Sequence, residues 1–401
     1  MKKIVFTVVI LTTAFSFYHP AEATTYYIDF EGGDDMNDGL SPLTAWKHFP
    51  SDKNASGKAK LYQKFQPGDI FLFKGGTVYR GSIFLYGRYN GNGLSGQPIV
   101  LKGDGWGKEK AIIDGSVLIE GNWRRCESQY ACSGNPYWQN IYYIDLPSDY
   151  SFKKGFFEDD EFLWYSQDPN PTEPFFYDRL QYLRIIPKDN PNIKQTRTSI
   201  TDLRYFTQSD PNYWDGAYII AWRIPNVTVI KKITGYDPIT YTIYHEDLGG
   251  DLYTDRDSYY SVINHVSLID MPGEFSLDEA NRRFYVWPRG NDINLHKYYV
   301  NILDAGIVVS GAKHVNVEGF IVQKFNFGIR VYDSGGQGVP ENIVVINNEI
   351  RKLKSNDWYA LQISAINATV ENNKVIDAQR AVGILGGGQN VLIKNNFVNR
   401  A

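Results

Sequence analysis

The chain has 401 residues, a formal net charge of −4 and 2 cysteines. That charge leaves no basic footprint for nucleic acid, and beyond the N-terminus no apolar run approaches the ~20 residues of a membrane-spanning helix. Aromatic residues make up 15% of the chain; most serve strand formation and core packing, and the remainder are candidates for stacking on the apolar faces of sugar rings.

Lys2 and Lys3 precede an apolar run from Ile4 to Phe17 and the small-residue site Ala21-Glu22-Ala23. This is the pattern of a secretory signal peptide over 1–23, and it predicts a secreted or periplasmic mature protein. Residues 24–115 read as a strand, a polar turn, a short helix and three strands. The turn "EGGDDMNDG" carries Asp34, Asp35, Asn37 and Asp38, oxygen ligands of the kind that hold Ca²⁺, but it lacks the spaced glutamate of an EF-hand. Asx-turn capping is the competing role for these residues. No other cofactor is expected.

Over 116–300 aromatic-rich strands alternate with Pro, Asn and Asp turns, which predicts an antiparallel, sandwich-like insertion. Cys126 and Cys132, in "RRCESQYACSG", lie close together, and in an exported chain a disulfide is expected between them. Two cysteines without a nearby histidine are too few ligands for zinc, and the histidines show no metal-ligand spacing. Asp270 and Glu274 bracket Pro272-Gly273, which suits a turn and a structural role.

From 301 the pattern becomes a repeat. "ENIVVINNEI", "NATVENNKVI" and "NVLIKNNFVN" each set an alternating strand before an asparagine pair, and the pairs Asn347-Asn348, Asn372-Asn373 and Asn395-Asn396 fall 25 and then 23 residues apart. A short β repeat cannot bury its apolar face alone, so copies must stack as in a parallel β-helix. Asparagine tolerates the left-handed bend, and its amide can bond the same amide one coil away. An earlier coil, "HVNVEGFIVQKF", places Glu318-Gly319 at that bend.

"TTYYIDFEGGDDMNDGLSPLTAWKHF", "QPGDIFLFKGGTVYRGSIFL" and "SGQPIVLKGDGWGKEKAIIDGS" resemble the cap and first coils of secreted right-handed β-helix proteins of the pectin-lyase-like class. "NWRRCESQYACSGNPYWQNIYYIDLP" and "DMPGEFSLDEANRRFYVWP" are similar to stretches of β-helical carbohydrate-active proteins. Among these are β-xylosidases in which an outer β-sandwich interrupts the helix; a tryptophan often stands there where this chain has Phe275. The resemblance implies an all-β fold: cap and first coils over 24–115, an inserted β-rich domain over 116–300, and further coils over 301–401. It also implies a polysaccharide or oligosaccharide partner and a glycoside hydrolase whose catalytic acids lie on coils further along. The ending at "KNNFVNRA", with no capping element, leads us to expect a longer parent protein.

Glycoside hydrolysis needs two carboxyl groups, and successive coils can supply them because equivalent positions stack at the ~4.8 Å strand spacing. Among the acids of the coils, including Asp304, Asp333 stands out at the end of a strand that enters the glycine-rich "DSGGQG". Asp357 stands out beside Trp358 and Tyr359, an acid next to an aromatic platform. Asp333 and Asp357 are therefore the expected catalytic pair, with Trp358, Tyr359 and Arg330 as substrate-binding residues. A lyase acting on uronates, which would need a cation or Ca²⁺ to neutralise the carboxylate, and a non-catalytic glycan-binding or adhesive β-helix are the alternatives.

Overall fold

A computed structural model describes residues 23–400 apart from 149, 152, 172–183, 191, 225–226, 253–254, 291, 355–358 and 380–381. The signal-like segment, Asp357 and Trp358 lie outside the described residues.

The fold is all-β, and the alternating repeats build parallel sheets in three columns. The first column stacks Thr25–Ile28, Ile70–Lys74, Ile99–Trp106, Lys313–Glu318 and Glu341–Ile346, then the second halves of Tyr359–Glu371 and Val382–Lys394. The second stacks Ile83–Tyr86, Ala305–Ser310 and Phe327–Tyr332, followed by the first halves of those two long strands. The third runs Val78–Arg80, Ala111–Asp114, Phe320–Gln323, Glu349–Lys354, Lys374–Gln379 and Phe397–Asn399. From Ile70 onward the chain visits first, third and second columns in turn and starts again one strand along. Alternate side chains such as Ile343 and Val345 point inward to a shared core with Phe73, Leu101, Val317, Phe320 and Val331.

The asparagine pairs stack as their spacing predicts. The first asparagine of each pair makes the bend, and Gly319, one residue after Glu318 opposite Ile346, takes the equivalent place a coil earlier: Gly319, Asn347, Asn372 and Asn395 have φ of 71°, 58°, 55° and 54°. The second members form a ladder. The Asn348 backbone N–H donates to Asn373 Oδ1 at 3.0 Å, that of Asn373 donates to Asn396 Oδ1 at 2.8 Å, and both side-chain amides donate to a backbone carbonyl one coil back. A second left-handed file joins His314, Asn342, Asn367 and Asn390. A third joins Lys324, Lys352, Asp377 and Arg400, of which only Asp377 is of a type with a local tolerance for that conformation.

The chain leaves the third column after Asp114 and returns to the second at Ala305. Ser116–Leu118 pairs antiparallel with Tyr298–Asn301, which closes the excursion at its base. Between them lie antiparallel sheets with separate aromatic cores, one around Phe156, Phe275, Phe284 and Tyr298 and one around Phe206, Trp214, Tyr236 and Tyr260. Phe275 is fully buried in the first of these. Cys126 and Cys132 are bridged within a small third cluster with Ile141 and Ile269. The left-handed lysines tie this segment to the columns: Lys324 Nζ donates to the Asp159 carbonyl at 2.9 Å, and Lys352 Nζ lies 2.9 Å from Glu161 and 2.8 Å from Asp377.

Candidate functional site

Strand alternation sends Ile83 and Leu85 inward, so Phe84 and Tyr86 face out from the second column. The register extends this outer face along the stack. Phe84, Val308 and Arg330 form one file, and Tyr86, Ser310 and Tyr332 the next. Phe84, Tyr86, Val308, Arg330 and Tyr332 line a cleft of about 480 Å³. Its walls are Asp52-Lys53 on one side and Leu303-Asp304, where the chain re-enters the column, on the other, with Gly81, Ser82 and Phe327 completing the lining.

The Phe84 and Tyr86 rings lie parallel, 3° between planes and 6.0 Å between centroids. That arrangement suits the flat C–H face of a pyranose. Burial pushes the Tyr86 phenol above its ordinary value, and neighbouring Tyr332 adds to the shift. The Arg330 guanidinium sits 4.4 Å from the Phe327 ring and 4.2 Å from the Tyr332 ring, and its Nε donates to Gln362 Oε1 on the next strand at 3.0 Å.

Two carboxyl groups line the same cleft. Asp52 is 8% exposed; its Oδ1 accepts the Asn54 backbone N–H at 2.7 Å. Burial raises its pKa above the ordinary carboxyl value, with the Asn54 amide opposing the shift. The group is held close against the column because residue 81 is glycine: a Cβ there would stand 2.2 Å from Asp52 Oδ2. Adjacent Ser51 fastens the turn, its hydroxyl donating to the Phe84 carbonyl at 2.5 Å and accepting the Phe84 N–H at 3.3 Å. Asp304 is exposed at the mouth; its Oδ1 accepts the Asn326 side-chain amide at 2.8 Å, and Asn301 donates to Asn326 in turn at 2.9 Å. The relay runs from the base of the excursion to the cleft.

Of the residues expected from sequence, Arg330 lines this cleft. Asp333 lies in an exposed loop where its Oδ1 accepts the Gly338 N–H at 3.1 Å, the role of a turn cap. Tyr359 opens the next strand of the second column, half-buried and outside the described lining. Asp52, Phe84, Tyr86 and Tyr332 were not anticipated, and Asp304 was one coil acid among several. The missed signal lay in "SIFLYGRY" and "FGIRVYDS", where large aromatic or charged residues occupy every outward position of a strand.

The acidic turn of the cap is committed internally. Asp35 accepts the His48 N–H at 2.8 Å and the Ser56 N–H at 2.9 Å and bonds the His48 ring at 2.7 Å; Asp34 caps Met36 and Asp38 caps Leu40. Among the described residues no group of three His, Cys, Asp or Glu side chains is placed to hold a metal ion.

No family model and no curated protein matches the chain. Among solved structures, one described as a glycoside hydrolase aligns with a TM-score of 0.52 at 10% identity, over 93% of this chain and 88% of the other. A complex of XylC with xylose aligns with a TM-score of 0.44 at 14% identity, over 93% of this chain and 53% of that one. At such identity the first likeness is one of fold, an all-β architecture with parallel sheets shared with a glycoside hydrolase.

Proposed function

We propose that the chain is an exported glycoside hydrolase built on a right-handed parallel β-helix of the pectin-lyase-like kind, interrupted by an inserted β-rich domain over 116–300. The hand follows from the order of visits to the columns and the strong right-handed preference of parallel crossovers. The observation that carries the function is Asp52, a buried carboxyl with a raised pKa in the same cleft as exposed Asp304 and the paired Phe84 and Tyr86 rings. The fold of a glycoside hydrolase agrees with it.

A carboxyl whose pKa burial raises holds its proton to higher pH than an ordinary aspartate, which suits it to donate that proton to the leaving glycosidic oxygen. Asp304 then serves as base towards water or as nucleophile. Phe84 and Tyr86 stack against the sugar and hold it in the cleft. Asp333 lies outside the lining of this cleft; Asp357, beside Trp358 and Tyr359 in sequence, is the alternative partner for Asp52. The test is hydrolysis of aryl glycosides and xylo-oligosaccharides by wild type and by Asp52→Asn, Asp304→Asn and Asp357→Asn. Asp52→Asn should lower kcat/KM by about 100-fold or more, and the wild-type rate should fall on the alkaline side as Asp52 ionises. Undiminished hydrolysis in Asp52→Asn would remove the assignment, and an unsaturated product would point to elimination instead.

A further inference from the structure

We propose that this cleft recognises a sugar bearing a carboxylate, with the Arg330 guanidinium as its receptor; the proposal rests on the glycan-binding reading of the site. Arginines elsewhere in the chain are commonly paired with acids: Arg80 with Asp114, Arg184 with Asp168, Arg289 with Glu158 and Arg351 with Glu349. Arg330 lies in the cleft and has no carboxylate partner among the described residues. Among the described residues its one hydrogen bond uses Nε. The two terminal nitrogens are left over, and they form the edge of a guanidinium that accepts a planar carboxylate in a bidentate fork.

The surroundings prepare that group for a ligand. Phe327 and Tyr332, at 4.4 and 4.2 Å, and the bond to Gln362 confine the guanidinium, so little side-chain freedom remains to be lost on binding. The aromatic rings also displace water from around it, which strengthens its attraction for an anion. Lysine in the same place would keep the charge but not the fork.

Position separates this subsite from the stacking platform. Phe84, Val308 and Arg330 occupy the same register position on three successive strands. Arg330 therefore lies two strand spacings from Phe84, roughly 10 Å along the column. A ring stacked on Phe84 and Tyr86 leaves the neighbouring residues of the glycan to reach Arg330. The preferred ligand is thus a glycan with a uronic acid displaced from the sugar on the aromatic platform.

The experiment is calorimetric titration of wild type, Arg330→Gln and Arg330→Lys with two probes, a xylotetraose carrying one glucuronic acid branch and trigalacturonate, each as free acid and as methyl ester. Thermal unfolding verifies that the variants fold. Wild type should bind at least one free acid about tenfold or more tighter than its ester, and salt should narrow the gap. Arg330→Gln should bring the acid-to-ester ratio to about one, and Arg330→Lys should restore only part of the preference. Equal binding of acid and ester by wild type, or an acid preference that survives in Arg330→Gln, overturns the carboxylate proposal and leaves the glycan site standing. Failure of wild type to bind any of the four compounds, or neutral xylo-oligosaccharides, overturns both.

Discussion

In the stacked columns each coil supplies the hydrogen-bond partners of the next, whereas between 116 and 300 several buried polar groups are satisfied by partners found once in the fold. Asn348, Asn373 and Asn396 repeat one set of contacts. In the inserted segment, Glu158 is held by Arg289 and by the Tyr298 hydroxyl at 2.8 Å, Asp202 by the Tyr260 hydroxyl at 2.9 Å, and Asn264 by the Leu277 backbone. Repetition spreads satisfaction over many equivalent positions and leaves the outward files free to vary, which is where the cleft residues sit. The inserted segment has no such redundancy, so single substitutions there should cost more.

The largest effect is expected at the Glu158 network. Arg289→Met leaves a carboxylate that is 2% exposed with the Tyr298 hydroxyl, a backbone N–H and the His296 ring at 3.8 Å but no guanidinium. Removing one member of a buried ion pair typically destabilises by ~3 to 5 kcal/mol. A urea titration should show that loss, and adding Glu158→Gln should recover much of it. A loss below ~1 kcal/mol would mean that solvent reaches the pair.

Within the columns, Asn373→Ala removes the acceptor of the Asn348 N–H and the donor to the Val345 carbonyl, both buried. Unmet buried groups of this kind cost ~1 to 3 kcal/mol each, so a loss of about 3 kcal/mol is expected. Asn367→Ala, at an exposed bend where the side chain bonds only Asn390, should lose about 1 kcal/mol. Equal losses at the two positions would break the distinction between ladder and bend. The Cys126–Cys132 bridge closes a short loop of the inserted segment, and its removal in Cys126→Ser/Cys132→Ser should cost about 2 kcal/mol by loop-closure entropy. Non-reducing mass spectrometry of the native protein should find the two residues linked.

The smallest change at low pH is expected from Glu274→Gln. Glu274 is buried, its pKa pushed up to about 8 by burial while the Asp270 and Met271 amides oppose the shift. Its folded-state pKa exceeds the unfolded 4.5. The associated stability is complete below 4.5 and is lost as pH rises through about 8. Glutamine retains an acceptor for the two amides and cannot ionise, so wild type and variant should match near pH 5 and the variant should be the more stable above pH 8. Parallel stability curves across that range would show that Glu274 is ionised in the fold.

The columns were legible because their signal is periodic. Inward alternation and the asparagine pairs predicted both the stacking and the amide ladder, and Gly319 takes the bend where Glu318-Gly319 replaced an asparagine pair. The file of Lys324, Lys352, Asp377 and Arg400 was not legible, since lysine and arginine have no local preference for the left-handed region and a lone aspartate makes no repeat; ion pairs to Glu161 and within the file accompany it. At the cleft, Arg330 was expected as a substrate-binding residue, while the strand ending in a glycine-rich loop drew attention to Asp333, which lies outside the lining. Asp52 was hidden, because its burial depends on Gly81 and on Ser51 bonding Phe84, contacts between segments that carry no mutual signature in sequence.

Local patterns, strand alternation and the conformational tolerance of asparagine and glycine, thus determined which segments stack and where they bend, because those properties belong to a residue and its near neighbours. Which carboxyl groups share a cleft with the aromatic files, and which arginine lies there without an acidic partner, was decided only by the tertiary structure. Both depend on desolvation and on distances between chain segments that register brings together, and neither quantity exists until the coils have stacked.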